Sequence, residues 1–130
     1  MATIFTRIIN GEIPCYKVAE DKEFIAFLDI NPLMRGHTLV VPKPEVDYIF
    51  DMEDQMLSEM ILFAKRIAVR IKEKIDCKRV AVMVIGLEVP HCHIHLIPIN
   101  SEGDLNLRKE RPQFTQAEFI ATAQDLLIEP

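Results

Sequence analysis

Gly86-Leu87-Glu88-Val89-Pro90-His91-Cys92-His93-Ile94-His95-Leu96-Ile97-Pro98 is the stretch on which the reading of this chain turns. The chain has four histidines, and three of them stand here at alternate positions. Cys92, Ile94, Leu96 and Ile97 lie between and after them, a composition that favours an extended strand. Successive side chains of a strand point to opposite faces. His91, His93 and His95 are therefore expected in one row, about 6.5–7 Å from one Cα to the next. Cys92, Ile94 and Leu96 then face a core. Pro90 and Pro98 bracket the strand, where a missing N–H disturbs a ladder least.

Three imidazoles in a row admit three readings. They can be histidines with satisfied hydrogen bonds and no further role. They can bind metal, since imidazole is the commonest protein metal ligand and an H-x-H strand can supply two zinc ligands. They can also serve nucleophilic catalysis, one ring attacking an electrophile while its neighbours handle charge and protons.

The rest of the chain supplies the frame. Before the histidines, Val80-Ala81-Val82-Met83-Val84-Ile85 does not alternate and reads as a strand buried on both faces. Ahead of it, Met56, Met60, Ile61, Ala64, Ile67, Ala68, Ile71 and Ile75 recur at spacings of three and four. They form the apolar stripe of a long helix, with Asp51 as its expected cap. His37 to Pro42 reads as a central strand, and Phe24–Leu28 with Cys15–Glu20 as a hairpin around Asp21-Lys22-Glu23. Thr3 is placed to cap a short helix through Phe5, Ile8 and Ile9, stopped at Asn10-Gly11. After the histidines, Arg108 to Arg111 reads as a surface segment. Thr115 with Glu118 forms a capping box for a last amphipathic helix. Five strands, one long helix and short terminal helices predict an α+β fold, an antiparallel sheet with helices on one face and the histidines on the other.

Composition narrows the function. With 130 residues, 49% apolar and 27% charged, the chain is read as one globular domain. A net charge of −5 offers no basic footprint for nucleic acid. No apolar run approaches the ~18 residues that span a bilayer, and no signal peptide opens the chain. Cys15, Cys77 and Cys92 are odd in number and scattered, which fits reduced thiols in the cytoplasm.

His91-Cys92-His93-Ile94-His95-Leu96-Ile97 resembles the H-φ-H-φ-H-φ-φ signature of the histidine triad (HIT) family of nucleotide hydrolases and transferases. Ile4–Ile9, Glu12-Ile13-Pro14, Ala26–Pro32 and Gly36–Lys43 resemble that family in the same order. The resemblance covers a core of about residues 3–98 and weakens over the extension 99–130. It implies a homodimer, with the long helix and Val80–Ile85 as its surfaces. It also implies transfer of a nucleoside monophosphate through His93. Neutral imidazole is a good nucleophile near pH 7, and a nucleotidyl-imidazole splits one hard step into two easier ones. A hydrogen bond at the other ring nitrogen must fix the tautomer, and a nearby backbone carbonyl can supply it. The resemblance gives His95 the charge on the phosphate oxygens. His91 and His37 hold the network, with His37 passing a proton to the leaving group. Asp29 accepts the ribose hydroxyls; Phe5, Ile8, Phe27 and Ile30 enclose the purine. No cofactor or resident metal is expected. Well-known members carry Gly-Gln-Ser or Gly-Gln-Thr before the triad, where this chain has Gly86-Leu87-Glu88, a carboxylate on the phosphate rim. That departure leaves the leaving group open and keeps two other readings in view. One is a nucleotide-binding or interaction protein with weak or no catalysis. The other is a zinc protein using His37 and two of the triad histidines.

Overall fold

The computed structural model describes residues 2–129. A five-stranded antiparallel sheet runs in the order β1-β2-β3-β5-β4. Its strands are β1 (Lys17–Glu20), β2 (Phe24–Leu28), β3 (Thr38–Pro42), β4 (Arg79–Met83) and β5 (Ile94–Ile99). The helices are α1 (Ile4–Ile9), α2 (Asp54–Lys74) and α3 (Gln116–Leu126).

Alternation sorts the side chains of the sheet into two cores. Val18, Phe24, Ala26, Leu28, Val40, Ile94 and Leu96 join Cys92 against α2 and α3. Fully burying a residue such as Ile94 or Leu96 contributes roughly 1.5–3 kcal/mol. The opposite face carries Ile25, Phe27, Leu39 and Val41, closed by Phe5 of α1. Helices therefore cover both faces, and α1 lies on the histidine face rather than with the others. Its cap is the expected one: the Thr3 side chain accepts from Thr6 N–H, and Gly11 follows at φ +78°. The Thr115–Glu118 capping box of α3 is also present.

Several boundaries differ from expectation for identifiable reasons. The histidine strand begins at Ile94, not His91, because Cys92 N–H turns away from the sheet to Val46 O (2.7 Å) and the ladder with β3 opens at Val40↔Ile94. Pro98 lies inside β5, opposite Val80. The β3 ladder has already ended at Thr38↔Leu96, so at Pro98 the strand is paired on the β4 side only, an edge-like position where proline is tolerated. The expected Val80–Ile85 strand is shorter and is not buried on both faces. As the outer strand it has one neighbour, and Val82 is 63% exposed. Asp51 does not cap α2; it ends a 3-10 turn over Ile49–Asp51, and Glu53 takes the cap position after Met52 sinks into the core. The buried stripe of α2 is Met60, Phe63, Ala64, Ile67 and Ile71, with Ile61 turned outward. Cys15, Cys77 and Cys92 are free. Among the described residues no helix is long and apolar enough to cross a membrane.

The turn that delivers His37 to the sheet depends on Gly36, whose φ is +90°. A Cβ there would run into the Ile75 side chain, whereas at Gly11 it would meet nothing within 4 Å. Gly36→Ala is expected to cost about 2–3 kcal/mol, a left-handed backbone penalty of ~1–2 plus ~0.5–1.5 for turning the terminal methyl of Ile75 aside. Gly11→Ala should cost only the backbone part, about 1–2 kcal/mol. Urea unfolding of the two variants checks this; equal losses would contradict the packing of Ile75 on Gly36.

Candidate functional site

A cavity of about 510 Å³ opens on the α1 face of the sheet. The apolar pair Phe27 and Leu39 comes from β2 and β3, and Phe5 and Ile8 come from α1. Gly86, Leu87 and Glu88 form one rim, Asp29 and Ile30 another. His37, His93 and His95 line it as well. The structure thus brings together every expected site residue except His91, which is fully buried behind Phe5 with ring centroids 5.9 Å apart. The row therefore reaches the cavity through two of its three members. Leu87 and Glu88 are exposed at the mouth.

Buried imidazoles need partners for both nitrogens, and here the partners dictate the tautomers. His91 Nε2 lies 2.7 Å from Pro42 O, a carbonyl that can only accept, so the proton sits on Nε2. Its Nδ1 then accepts from the Thr3 hydroxyl at 2.9 Å. His93 Nδ1 donates to the carbonyl of His91 at 2.9 Å, which leaves the lone pair on Nε2. His37 Nδ1 accepts from Leu33 N–H at 3.0 Å, so its Nε2–H donates to His95 Nδ1 at 2.9 Å. His95 must then carry its proton on Nε2. Neither Nε2 of His93 nor Nε2 of His95 has a protein partner among the described residues. One presents a lone pair and the other an N–H, with ring centroids 4.8 Å apart. The His37 ring lines the cavity, but both of its nitrogens are engaged, which leaves it no free N–H for a ligand. The expected hand-over of a proton from His37 to a leaving group would have to displace one of these bonds.

Burial pushes all three cavity imidazoles below the usual histidine value. His95 falls to about 4, helped by the positive forms of His37 and His93. His37 falls for the same first reason, although Asp29 pulls it back. His93 also falls, against the opposing pull of its bond to the His91 carbonyl and of Asp29. The site is therefore neutral in its imidazoles at pH 7. Asp29 stands with Oδ2 3.6 Å from His37 Nε2, while its Oδ1 accepts from Asn31 N–H at 2.8 Å.

Among the described residues, Asp29, His37 and His95 form the one cluster whose ligand atoms lie within 4.8 Å of one another. The two facing imidazole nitrogens are already engaged with each other, so a cation would first have to break that bond. The set also differs from the expected zinc ligands, since His91 and His93 stand outside it.

Local sequence patterns hid three participants. Thr3 is legible as a helix cap but not as the partner of a histidine 88 residues away. Leu33 contributes through its backbone alone. Arg111, read as part of a surface segment, lines the cavity and donates to Asn31 O at 2.7 Å.

Comparisons with known proteins identify the family. The HIT domain family matches residues 10–102. An uncharacterised HIT-like protein of Methanocaldococcus jannaschii is 43% identical over 106 residues, 78% of this chain and 81% of its own. Adenosine 5'-monophosphoramidase HNT1 of Saccharomyces cerevisiae is 39% identical over 104 residues, 78% of this chain and 65% of its own. A crystal structure of a Hit-like protein from Bartonella henselae, described as involved in cell-cycle regulation, superposes with a TM-score of 0.83. It has 29% identity and covers 95% of this chain and 92% of that one. On its histidine motif, its sheet order and these likenesses, the chain belongs to the HIT family.

Proposed function

We propose that this protein is a hydrolase or transferase acting on the α-phosphate of purine nucleotide conjugates, nucleoside phosphoramidates or dinucleoside polyphosphates. The reading rests on one observation above all. His93 is held by the His91 carbonyl so that its Nε2 lone pair faces a cavity where His95 offers an N–H beside it. The likeness to a protein named as an adenosine 5'-monophosphoramidase supports the substrate class.

The steps follow from the tautomers. His93 Nε2 attacks the α-phosphorus, and the P–N bond forms as the bond to the leaving group breaks. The leaving group departs with the electron pair. The His95 Nε2–H stabilises charge on the phosphoryl oxygens, an effect usually worth about 2.7–4 kcal/mol per donor. The departing group takes its proton from water at the cavity mouth, so that His95 and His37, each neutral with a single proton, keep theirs. Water or another acceptor then attacks phosphorus and gives up its proton to solvent, the P–N bond breaks, and His93 is regenerated with its lone pair. In this reading Asp29 Oδ2 accepts the ribose hydroxyls, and Phe5, Ile8, Phe27 and Ile30 are the apolar walls for a purine. Glu88 at the rim favours leaving groups that bring an amine or a counter-charge.

Two measurements check this. His93→Ala should abolish turnover of an adenosine phosphoramidate while AMP still binds, and His95→Ala should keep a residual rate. In the wild type the acid limb of kcat/KM should lie below pH 6.5. Only neutral His93 attacks, and its lowered pKa keeps it neutral down to that pH, so activity is lost only as pH falls through the lowered value. Near wild-type turnover in His93→Ala would sink the reading.

We also propose that two copies join through α2 and the open edge at β4. The exposure of Val82, Val84 and Ile85 beside that edge supports this. Light scattering should give the mass of a dimer, about 30 kDa from a 15.0 kDa chain. A monomer that remains active would contradict it.

A further inference from the structure

An anionic substrate must enter a cavity that carries two carboxylates, Asp29 and Glu88, and imidazoles that burial keeps neutral. Among the described residues that line it there is one permanent cation, Arg111. This arginine lies outside the stretch that matches the HIT domain, residues 10–102. It is brought back over the site by a segment without helix or strand between the 3-10 turn Glu102–Leu105 and α3. The segment is not loosely attached. Arg111 Nη1 donates to Asn31 O at 2.7 Å and Nη2 donates to Leu107 O at 3.2 Å. Lys109 Nζ reaches Met34 Sδ at 3.4 Å.

These bonds aim the guanidinium without exhausting it. Arginine has five N–H hydrogens in a planar fork that suits phosphate oxygens, and two are used here. No carboxylate pairs with Arg111 among the described residues. Its positive charge is felt at both His37 and His95, where it adds to burial in holding the imidazoles neutral. The group therefore stands within electrostatic reach of the His95 N–H that faces the substrate.

Resting on the nucleotide reading above, we propose that Arg111 is a substrate-binding residue that contacts the phosphate of the nucleotide. The C-terminal segment is thereby a working part of the site. A residue that only braced the Asp29–Asn31 turn would support the nucleoside and the nucleotide equally. A phosphate ligand would support only the charged one.

The test is calorimetric binding of AMP and of adenosine to the full chain, for wild type, Arg111→Ala and Arg111→Lys, at two salt concentrations. Loss of a charge-assisted contact should weaken AMP by about 10- to 100-fold in Arg111→Ala. Adenosine should stay within about twofold, since it carries no phosphate to lose. Arg111→Lys should recover part of the AMP affinity, and the salt dependence of AMP binding should shrink in Arg111→Ala. Equal losses for AMP and adenosine would show a brace and overturn the proposal. So would AMP affinity unchanged by Arg111→Ala. A wild type that binds adenosine no better than it binds an unrelated nucleobase would instead remove the nucleotide reading, and this proposal with it.

Discussion

The carbonyl oxygen of His91 accepts the Nδ1 proton of His93, and the rest of the site is built to keep it in place. His91 itself is tied at both ring nitrogens, to Pro42 O at the end of β3 and to the Thr3 hydroxyl at the start of α1. That hydroxyl also caps α1 by accepting from Thr6 N–H, while Glu45 takes Thr3 N–H and the Thr6 hydroxyl. Helix capping and imidazole orientation are therefore one connected set of bonds. A neutral ring with its proton on the wrong nitrogen would present an N–H to phosphorus instead of a lone pair.

Burial sets the protonation state that this geometry requires. Charging an imidazole in a site closed by Phe5 and Leu39 costs free energy that no close anion repays in full, so His93 and His95 stay neutral. Asp29 is the nearest acid, yet half of its carboxylate is committed to the Asn31 turn. The chain Leu33 N–H to His37 to His95 runs in one direction only, because a backbone amide can only donate. One backbone donor at Leu33 and one backbone acceptor at His91 thus fix opposite polarities on adjacent rings.

Much of this was legible in the chain because it depends on local pattern. The alternation of His93 and His95 with Cys92, Ile94 and Leu96, the Phe24–Leu28 strand and the Thr3 and Thr115 caps all appear as read. Other features depend on neighbours that no local pattern names. Val80 to Met83 is as apolar as a central strand but lies at the edge, since strand order is a property of the whole sheet. His91 fits the strand period, yet the bond from Cys92 N–H to Val46 O takes it out of the ladder. Arg111 joins the cavity through a contact spanning 80 residues, invisible in a charged run.

The central claim is that His93 forms a covalent bond to phosphorus. Wild-type protein mixed with an adenosine phosphoramidate labelled at its phosphate, quenched in base within the first turnover and digested, tests it directly. The account predicts a nucleotidyl group on the peptide containing His93, lost on acid treatment as a P–N bond should be. Label found on another peptide, or labelled product formed within the first turnover with no labelled peptide in the quench, would contradict it.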